Sequence, residues 1–155
     1  MRFRHAFTVN APIERVAAFH SDPIALARLT PPPLSIRWIH REPIAEGARA
    51  RFVLRWGPIA ILWEALHREV SATGFVDEQV EGPFRRWVHR HCFQEIAPGV
   101  TEIIDEIEAA LPQHPLRALV ALAIWLGLPL LFAYRARATR RALHAAAYKE
   151  KLPWA

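Results

Sequence analysis

The sequence predicts an α+β domain in which one strongly curved antiparallel sheet wraps a long C-terminal helix, with two short helices after the first strand. Three observations predict it. Between residues 34 and 111, six segments of alternating hydrophobicity follow one another across short Gly- or Pro-marked turns, the pattern of sequential antiparallel neighbours. A sheet of that size must have one face covered. The segment from about His114 to Lys149 is the one stretch both long and apolar enough to cover it.

Each element follows from its residues. In "RFRHAFTV", Phe3, His5, Phe7 and Val9 alternate and predict strand one. Pro12 then suits a first helical turn, and Ile13, Val16, Ala17 and His20 share a helical face. Asp22–Pro23 reads as the cap and first turn of a second short helix ending near Thr30, before "PPP" at 31–33 forbids helix. Strands are expected over 34–42, 48–56, 59–70, 74–81, 84–96 and 100–111, with turns at Gly47, Gly57–Pro58, Gly82–Pro83 and Pro98–Gly99. The final helix carries Pro129 and is expected to kink there.

At 155 residues, with 52% apolar composition, the chain predicts a single domain over 1–155 with a substantial core. Its one cysteine, Cys92, excludes an internal disulfide, fits a reduced, cytoplasmic setting, and reads as an inert thiol because no base is dedicated to it. The net charge of +5 owes much to a basic stripe near the C-terminus: Arg135, Arg137, Arg140, Arg141, Lys149 and Lys151. That stripe reads as a solvated helix face, and no nucleic-acid recognition motif accompanies it, so no nucleic-acid partner is expected. "MRFRHAFTV" alternates without the apolar run of a signal peptide. "ALVALAIWLGLPLLFAY", seventeen uncharged residues from Ala118 to Tyr134, is short for a membrane span and is interrupted by Gly127 and Pro129; a core helix is the expectation. It is apolar almost all round, so its second face needs a cover: the short helices, a partner chain or a bilayer. A homodimer through this helix is expected first, with peripheral membrane contact as the alternative.

The element order and two passages resemble the START-like helix-grip fold of the SRPBCC superfamily. "VNAPIERVAAFHSDPIALARLTPPP" resembles the amino-terminal signature of its polyketide cyclase/dehydrase and coenzyme Q-binding branches, and "FVDEQVEGPFRRWVHRHCF" followed by "TEIIDEIEAALP" is similar to their second half. The resemblance implies an apolar cavity between sheet and long helix. It implies no shared catalytic set, since members include lipid and quinone carriers, cyclases and hormone receptors.

The strands of "FVDEQVEGPFRRWVHRHCFQEI" carry more polar residues than a core face requires. Alternate residues share a face. A three-residue loop at 82–84 pairs Asp77 with His89, whereas a two-residue loop opposes Asp77 to Val88; the first register is expected because it gathers the aromatics. The inward set is then Trp63, Phe75, Asp77, Gln79, Trp87, His89, His91, Phe93 and Asp105, faced by Leu122, Ile124 and Trp125 of the helix. Trp63 and Trp87, so placed, each need an acceptor for the indole N–H. The least demanding reading has Asp77–His89 and His91–Asp105 satisfy one another in the core. The sharper reading makes these residues and Trp125 the wall of a site for a small hydrophobic ligand such as a lipid, quinone or polyketide-like aromatic. The alternative is a cyclase/dehydrase-type enzyme in which His89 or His91 serves as general base, oriented by Asp77 or Asp105. His89 and His91 at i, i+2 could chelate with either Asp, but no tight ligand motif frames them, so neither metal nor cofactor is expected.

Overall fold

The computed structural model describes residues 1–22 and 24–151, and the side chains of these except 146–151. The elements run β1 (Arg2–Val9), α1 (Ile13–Ser21), α2 (Ala25–Arg28), β2 (Leu34–Arg41), β3 (Arg49–Trp56), β4 (Ile59–Ser71), β5 (Gly74–Glu81), β6 (Arg86–Ala97), β7 (Val100–Ala110) and α3 (Pro115–Lys151). The strands form one seven-stranded antiparallel sheet in the order β1-β7-β6-β5-β4-β3-β2. Strands two to seven are therefore a continuous meander, and β1 closes onto β7. This is the helix-grip architecture expected from the turn pattern.

Alternation decides which face is which. In β1 the side chains of Phe7 and Val9 are buried while Arg2, Arg4 and Thr8 are exposed; in β7 Thr101, Ile103, Asp105, Ile107 and Ala109 are buried. The outer face is tied by cross-strand ion pairs, among them Arg4–Glu106, Arg68–Glu78 and Arg51–Glu81. Such exposed pairs contribute little each, but they keep the solvent face polar and the register fixed.

Helix α3 grips the sheet with a stripe at i, i+3 and i+4 spacing: Ala121, Leu128, Phe132, Ala136, Thr139 and Leu143 are all buried. The core divides in two. Toward the C-terminal half of α3, Phe7, Val9, Val16, Phe75, Phe93, Ile103, Ala136 and Leu143 pack under α1. Toward its N-terminal half, Phe84, Trp87, Ile107, Ala109, Leu128 and Phe132 pack with Trp63 and Trp125 at the margin.

Several expectations change in detail. The second short helix is a single turn, Ala25–Arg28, entered through a hydrogen bond from the Ile24 N–H to the Asp22 carboxylate at 2.8 Å; Pro23 lies outside the described residues. The strand expected from residue 84 starts at Arg86, because Phe84 turns inward and is buried. α3 continues as one helix through Gly127 and Pro129. Pro129 is tolerated on the exposed side, where its missing N–H and its ring disturb no buried packing. The short helices do not cover the second face of α3: α1 packs near Ala136 and Leu143, leaving Leu116, Leu119, Leu126 and Leu130 exposed. Of the basic stripe, Arg137, Arg140 and Arg141 are exposed as expected, Arg135 is not solvated in that way, and the side chains of Lys149 and Lys151 lie outside the described set.

Trp87 packs on Trp63 with ring centroids 5.3 Å apart and on Phe84 at 4.7 Å, and is 7% exposed. Trp87→Ala is expected to cost about 3–5 kcal/mol, the range for a buried aromatic truncated to Ala. Chemical denaturation at pH 7 checks it; an unchanged midpoint would contradict the placement of Trp87 in the core.

Candidate functional site

The inner face of the sheet and α3 enclose a cavity of about 210 Å³. One wall is aromatic, because β2, β3 and β4 present rings at matching register, Trp38↔Phe52↔Trp63, and β6 adds Trp87 from beyond β5. Trp38 meets Phe52 edge-on at 5.3 Å, Phe52 stacks with Trp63 at 6.4 Å, and Trp63 meets Trp87 edge-on at 5.3 Å. Ile36, Leu54, Ala25 and Leu29 extend that wall, and Ile124, Leu128, Leu131, Phe132 and Arg135 of α3 form the opposite one. The remaining end is polar: His20, His67, Asp77, His89 and His91 line it.

Register builds that polar end. Across β4, β5, β6 and β7 the backbone partners are His67↔Asp77, Asp77↔His89 and His89↔Ile107 in one row, and Phe75↔His91 and His91↔Asp105 in the next. The expected Asp77↔His89 register is the one found. The side-chain bonds, however, run differently from the two isolated pairs expected. His67 Nδ1 lies 2.6 Å from Asp77 Oδ1, and His91 Nε2 3.4 Å from Asp77 Oδ2. His89 Nε2 lies 2.9 Å from Asp105 Oδ1, which is also 3.0 Å from His91 Nδ1, the latter a charge contact off hydrogen-bonding angle. Asp77 and His89 are thus backbone partners whose side chains do not bond each other: Asp77 bonds the directly opposite His67 and, diagonally, His91, while His89 bonds diagonally to Asp105, within the reach of diagonal neighbours on a twisted sheet. The result is one chain, His67–Asp77–His91–Asp105–His89, with His91 between two carboxylates.

Electrostatics follow from that order. Burial opposes charge on His91, but the Asp105 and Asp77 carboxylates outweigh it and hold the imidazolium up to about 9. Burial, and then the His91 cation, push His89 down to about 4 despite its bond to Asp105. His20, buried and with its Nδ1 2.9 Å from the Val16 carbonyl, is also pushed down to about 4, chiefly by burial. Burial would raise both aspartates, yet the imidazoles hold each well below the carboxylate range: hydrogen bonds from His67 and His91 on Asp77, and on Asp105 the hydrogen bond of His89 with the close charge contact of His91. At neutral pH the cluster therefore contains two carboxylates and the His91 imidazolium, with His89 and His20 neutral. Cys92 lies on the opposite strand face, where burial raises its thiol against the pull of Arg90, as suits an inert side chain.

The residues singled out from sequence fall into two groups. Trp63, Phe75, Asp77, Trp87, His89 and His91 line the cavity, as does Ile124. Asp105 stands behind them, holding two of the imidazoles. The rest lie elsewhere. Gln79 clamps the β5–β6 turn, its Nε2 donating to the Phe84 carbonyl at 2.8 Å and its Oε1 accepting from the Phe84 N–H at 3.3 Å. A Cβ on Gly82 would approach that Oε1 to 2.4 Å, so the clamp requires glycine there. Phe93 is core beneath α1, with its ring 4.9 Å from His20. Trp125 packs edge-on against Phe3 at 6.4 Å, and Leu122 is exposed, because the helix phase that buries Ala121 and Leu128 turns 122 outward. Neither Trp63 nor Trp87 has the expected indole acceptor among the described residues; both rings border the cavity instead.

The polar cavity residues not anticipated include His67, His20 as a liner, and Arg135, together with Ser21, Asp22, Thr30, Arg41 and Glu42 toward α1, α2 and the end of β2. His67 was legible, since Trp63, Ala65 and His67 alternate on one face of β4. Arg135 follows Phe132 by one helical step on the buried stripe, but its charge placed it with the solvated arginines. A cation is a further chemical option, because Asp77, His89 and His91 offer ligand atoms within 4.8 Å of one another. Those groups already share protons, and the cationic His91 would have to lose one to ligate.

No family model and no curated protein matches the chain. Solved structures do. A START superfamily protein from Mycobacterium smegmatis is 14% identical with a TM-score of 0.63, over 94% of this chain and 98% of that one. The Zhui aromatase/cyclase from Streptomyces sp. R1128 is 17% identical with a TM-score of 0.67, over 92% and 95%. A nucleoside-diphosphate sugar epimerase from Corynebacterium glutamicum is 25% identical with a TM-score of 0.70, over 96% of this chain but 30% of that one. The chain has the START-like helix-grip fold.

The shifted histidines make stability pH-dependent with opposite signs. His91, raised in the folded state, contributes stability that is fully present below about 6.5, its ordinary value, and is lost as pH rises through about 9. His89 and His20, depressed, cost stability as pH falls from about 6.5 toward about 4, where the unfolded chain binds protons that the fold refuses. Asp77 and Asp105 add a further loss at lower pH. The thermal midpoint should peak between about pH 6 and 8 and fall on both sides, and His91→Gln should flatten the alkaline limb selectively. A wild-type midpoint unchanged from pH 7 to pH 10 would contradict the imidazolium at His91.

Proposed function

We propose that this protein binds a small hydrophobic ligand, as a carrier or sensor, in the cavity between the sheet and α3, in a reduced, cytoplasmic setting. The observation that carries the reading is the cavity itself: largely aromatic and aliphatic, with convergent polar groups at one end. Binding would come mainly from buried apolar area, at about 25 cal/mol per Å² before the costs of association. The aromatase/cyclase and START neighbours support a ligand-holding role for such a cavity without identifying its occupant. The enzyme reading is weaker because a general base works best with a pKa near the operating pH. His89 at about 4 is a poor base at neutral pH, and His91 at about 9 already holds its proton.

A neutral fluorophore, N-phenyl-1-naphthylamine, should show saturable emission on the folded protein and be displaced by an aliphatic alcohol. Intact-mass analysis after organic extraction should also release a co-purified apolar molecule. Absence of saturable binding by a protein with native circular dichroism would overturn the reading.

The outer face of α3 supports a surface role in the same reading. Leu126 and Leu130 are 69% and 80% exposed, Leu116 and Leu119 are also open, and Arg137 and Arg141 continue the face. Only 17% of the most apolar window of this helix is buried. An apolar stripe running into arginines matches an anionic bilayer surface better than a second copy, which would bring like charges together. The protein should co-sediment with vesicles containing phosphatidylglycerol, and Leu126→Glu/Leu130→Glu should abolish this. A lipid-free dimer that ignores such vesicles would assign the face to self-association instead.

A further inference from the structure

Among the described residues, Arg135 is a cavity-lining cation whose Nε the internal structure leaves unanswered. It projects from the buried stripe of α3 into the cavity, one turn beyond Phe132, and its guanidinium lies over the Phe132 ring at 5.1 Å. Its Nε is sequestered from solvent without an acceptor, and no hydrogen bond or ion pair reaches the side chain among the described residues. The two carboxylates that could answer it are already committed: Asp77 to His67 and His91, Asp105 to His89 and His91. They act on Arg135 through space alone, favouring its charge against the desolvation that opposes it. A guanidinium has no neutral form to retreat to at ordinary pH, so its donors must be met by water or by something that enters the cavity.

We infer that Arg135 is the head-group site of this cavity, and that the ligand is an apolar molecule bearing a carboxylate. Resting on the ligand-binding reading above, this names the class of ligand. A planar guanidinium presents paired N–H donors that a carboxylate meets in a two-point fork, the strongest pairing open to it. The neutral His89 and His20 line the same end, and the Asp77 carboxylate there is already taken up by His67 and the cationic His91. The aromatic wall from Trp38 to Trp87 takes the body of the molecule. The exclusion is as specific as the attraction: a ligand of the same shape with a donor-only or apolar head leaves the guanidinium unpaired and displaces the water that served it.

The test compares 2-naphthoate with naphthalene-2-methanol, two probes of one ring system that differ in head group, by titration calorimetry at pH 7.5. Wild type should bind the carboxylate at least about tenfold more tightly than the alcohol, the scale of a desolvated charge-assisted pair. Arg135→Gln should remove that preference while changing alcohol affinity by less than about twofold. Arg135→Lys, which keeps charge but not the fork, should restore part of it and serves as the second variant should Arg135→Gln fold poorly. Equal affinities in wild type, or a preference that survives in Arg135→Gln, would overturn the inference while leaving the ligand-binding reading in place. Binding of neither probe to folded wild type would overturn both.

Discussion

Two carboxylates, Asp105 buried and Asp77 half-buried, set the terms for the inner face of this protein. Asp77 and Asp105 sit on neighbouring-but-one strands in the middle of an otherwise apolar surface, where an unpaired charge is costly. The fold answers with imidazoles from β4 and β6, placed by register, some directly opposite a carboxylate and some diagonal to it. His91 is the joint, because among the described residues it alone touches both carboxylates. The two apolar clusters close around this chain, one beneath α1 and one toward the N-terminal half of α3. Phe132 brings the helix down on it, with its ring edge-on to His89 at 5.5 Å.

A polar end built this way is preorganised. Its protons are assigned by the surrounding carboxylates, so little is left to rearrange when a molecule enters, and little is left free for proton transfer. Removing one member would strand its neighbour as a buried, unpaired charge, which is why such clusters specify a unique core when complete. The helix contributes the complementary element. By carrying Arg135 into the same space, α3 supplies a donor group that the sheet's own acceptors do not use. Inside the cavity both carboxylates are taken up by imidazoles, and the guanidinium is left without an acceptor of the protein's own for its Nε.

Much of this was legible in the sequence. Period-two alternation between Leu34 and Leu111, together with the Gly and Pro positions, marked out the strands, and gathering the aromatics of β5 and β6 on one face pointed to the Asp77↔His89 register. Alternation also placed Trp63, Phe75, Trp87, His89, His91 and Asp105 inward. What alternation cannot supply is the direction of a side-chain bond, because partners on a twisted sheet can be opposite or diagonal; the Asp77–His89 pair failed on that point. Gln79 and Phe93 had the right parity, yet one served a turn and the other lay beyond the cavity, under α1. On α3 the almost uniformly apolar surface hid the helical phase, so Leu122 and Trp125 were placed on the cavity side while Arg135 was read as solvated. The buried stripe was fixed only by packing around Leu128 and Phe132.

The claim on which the account depends is that His91 is an imidazolium held between two carboxylates while His89 and His20 are neutral. Long-range proton–nitrogen correlation spectra of uniformly nitrogen-15-labelled protein at pH 7.5 test it directly, with His91 assigned through His91→Gln. The account predicts His91 with both nitrogens protonated and unchanged down to pH 6, and His89 and His20 each with one protonated and one bare nitrogen. A neutral His91 at pH 7.5, or a cationic His89 in its place, would contradict it.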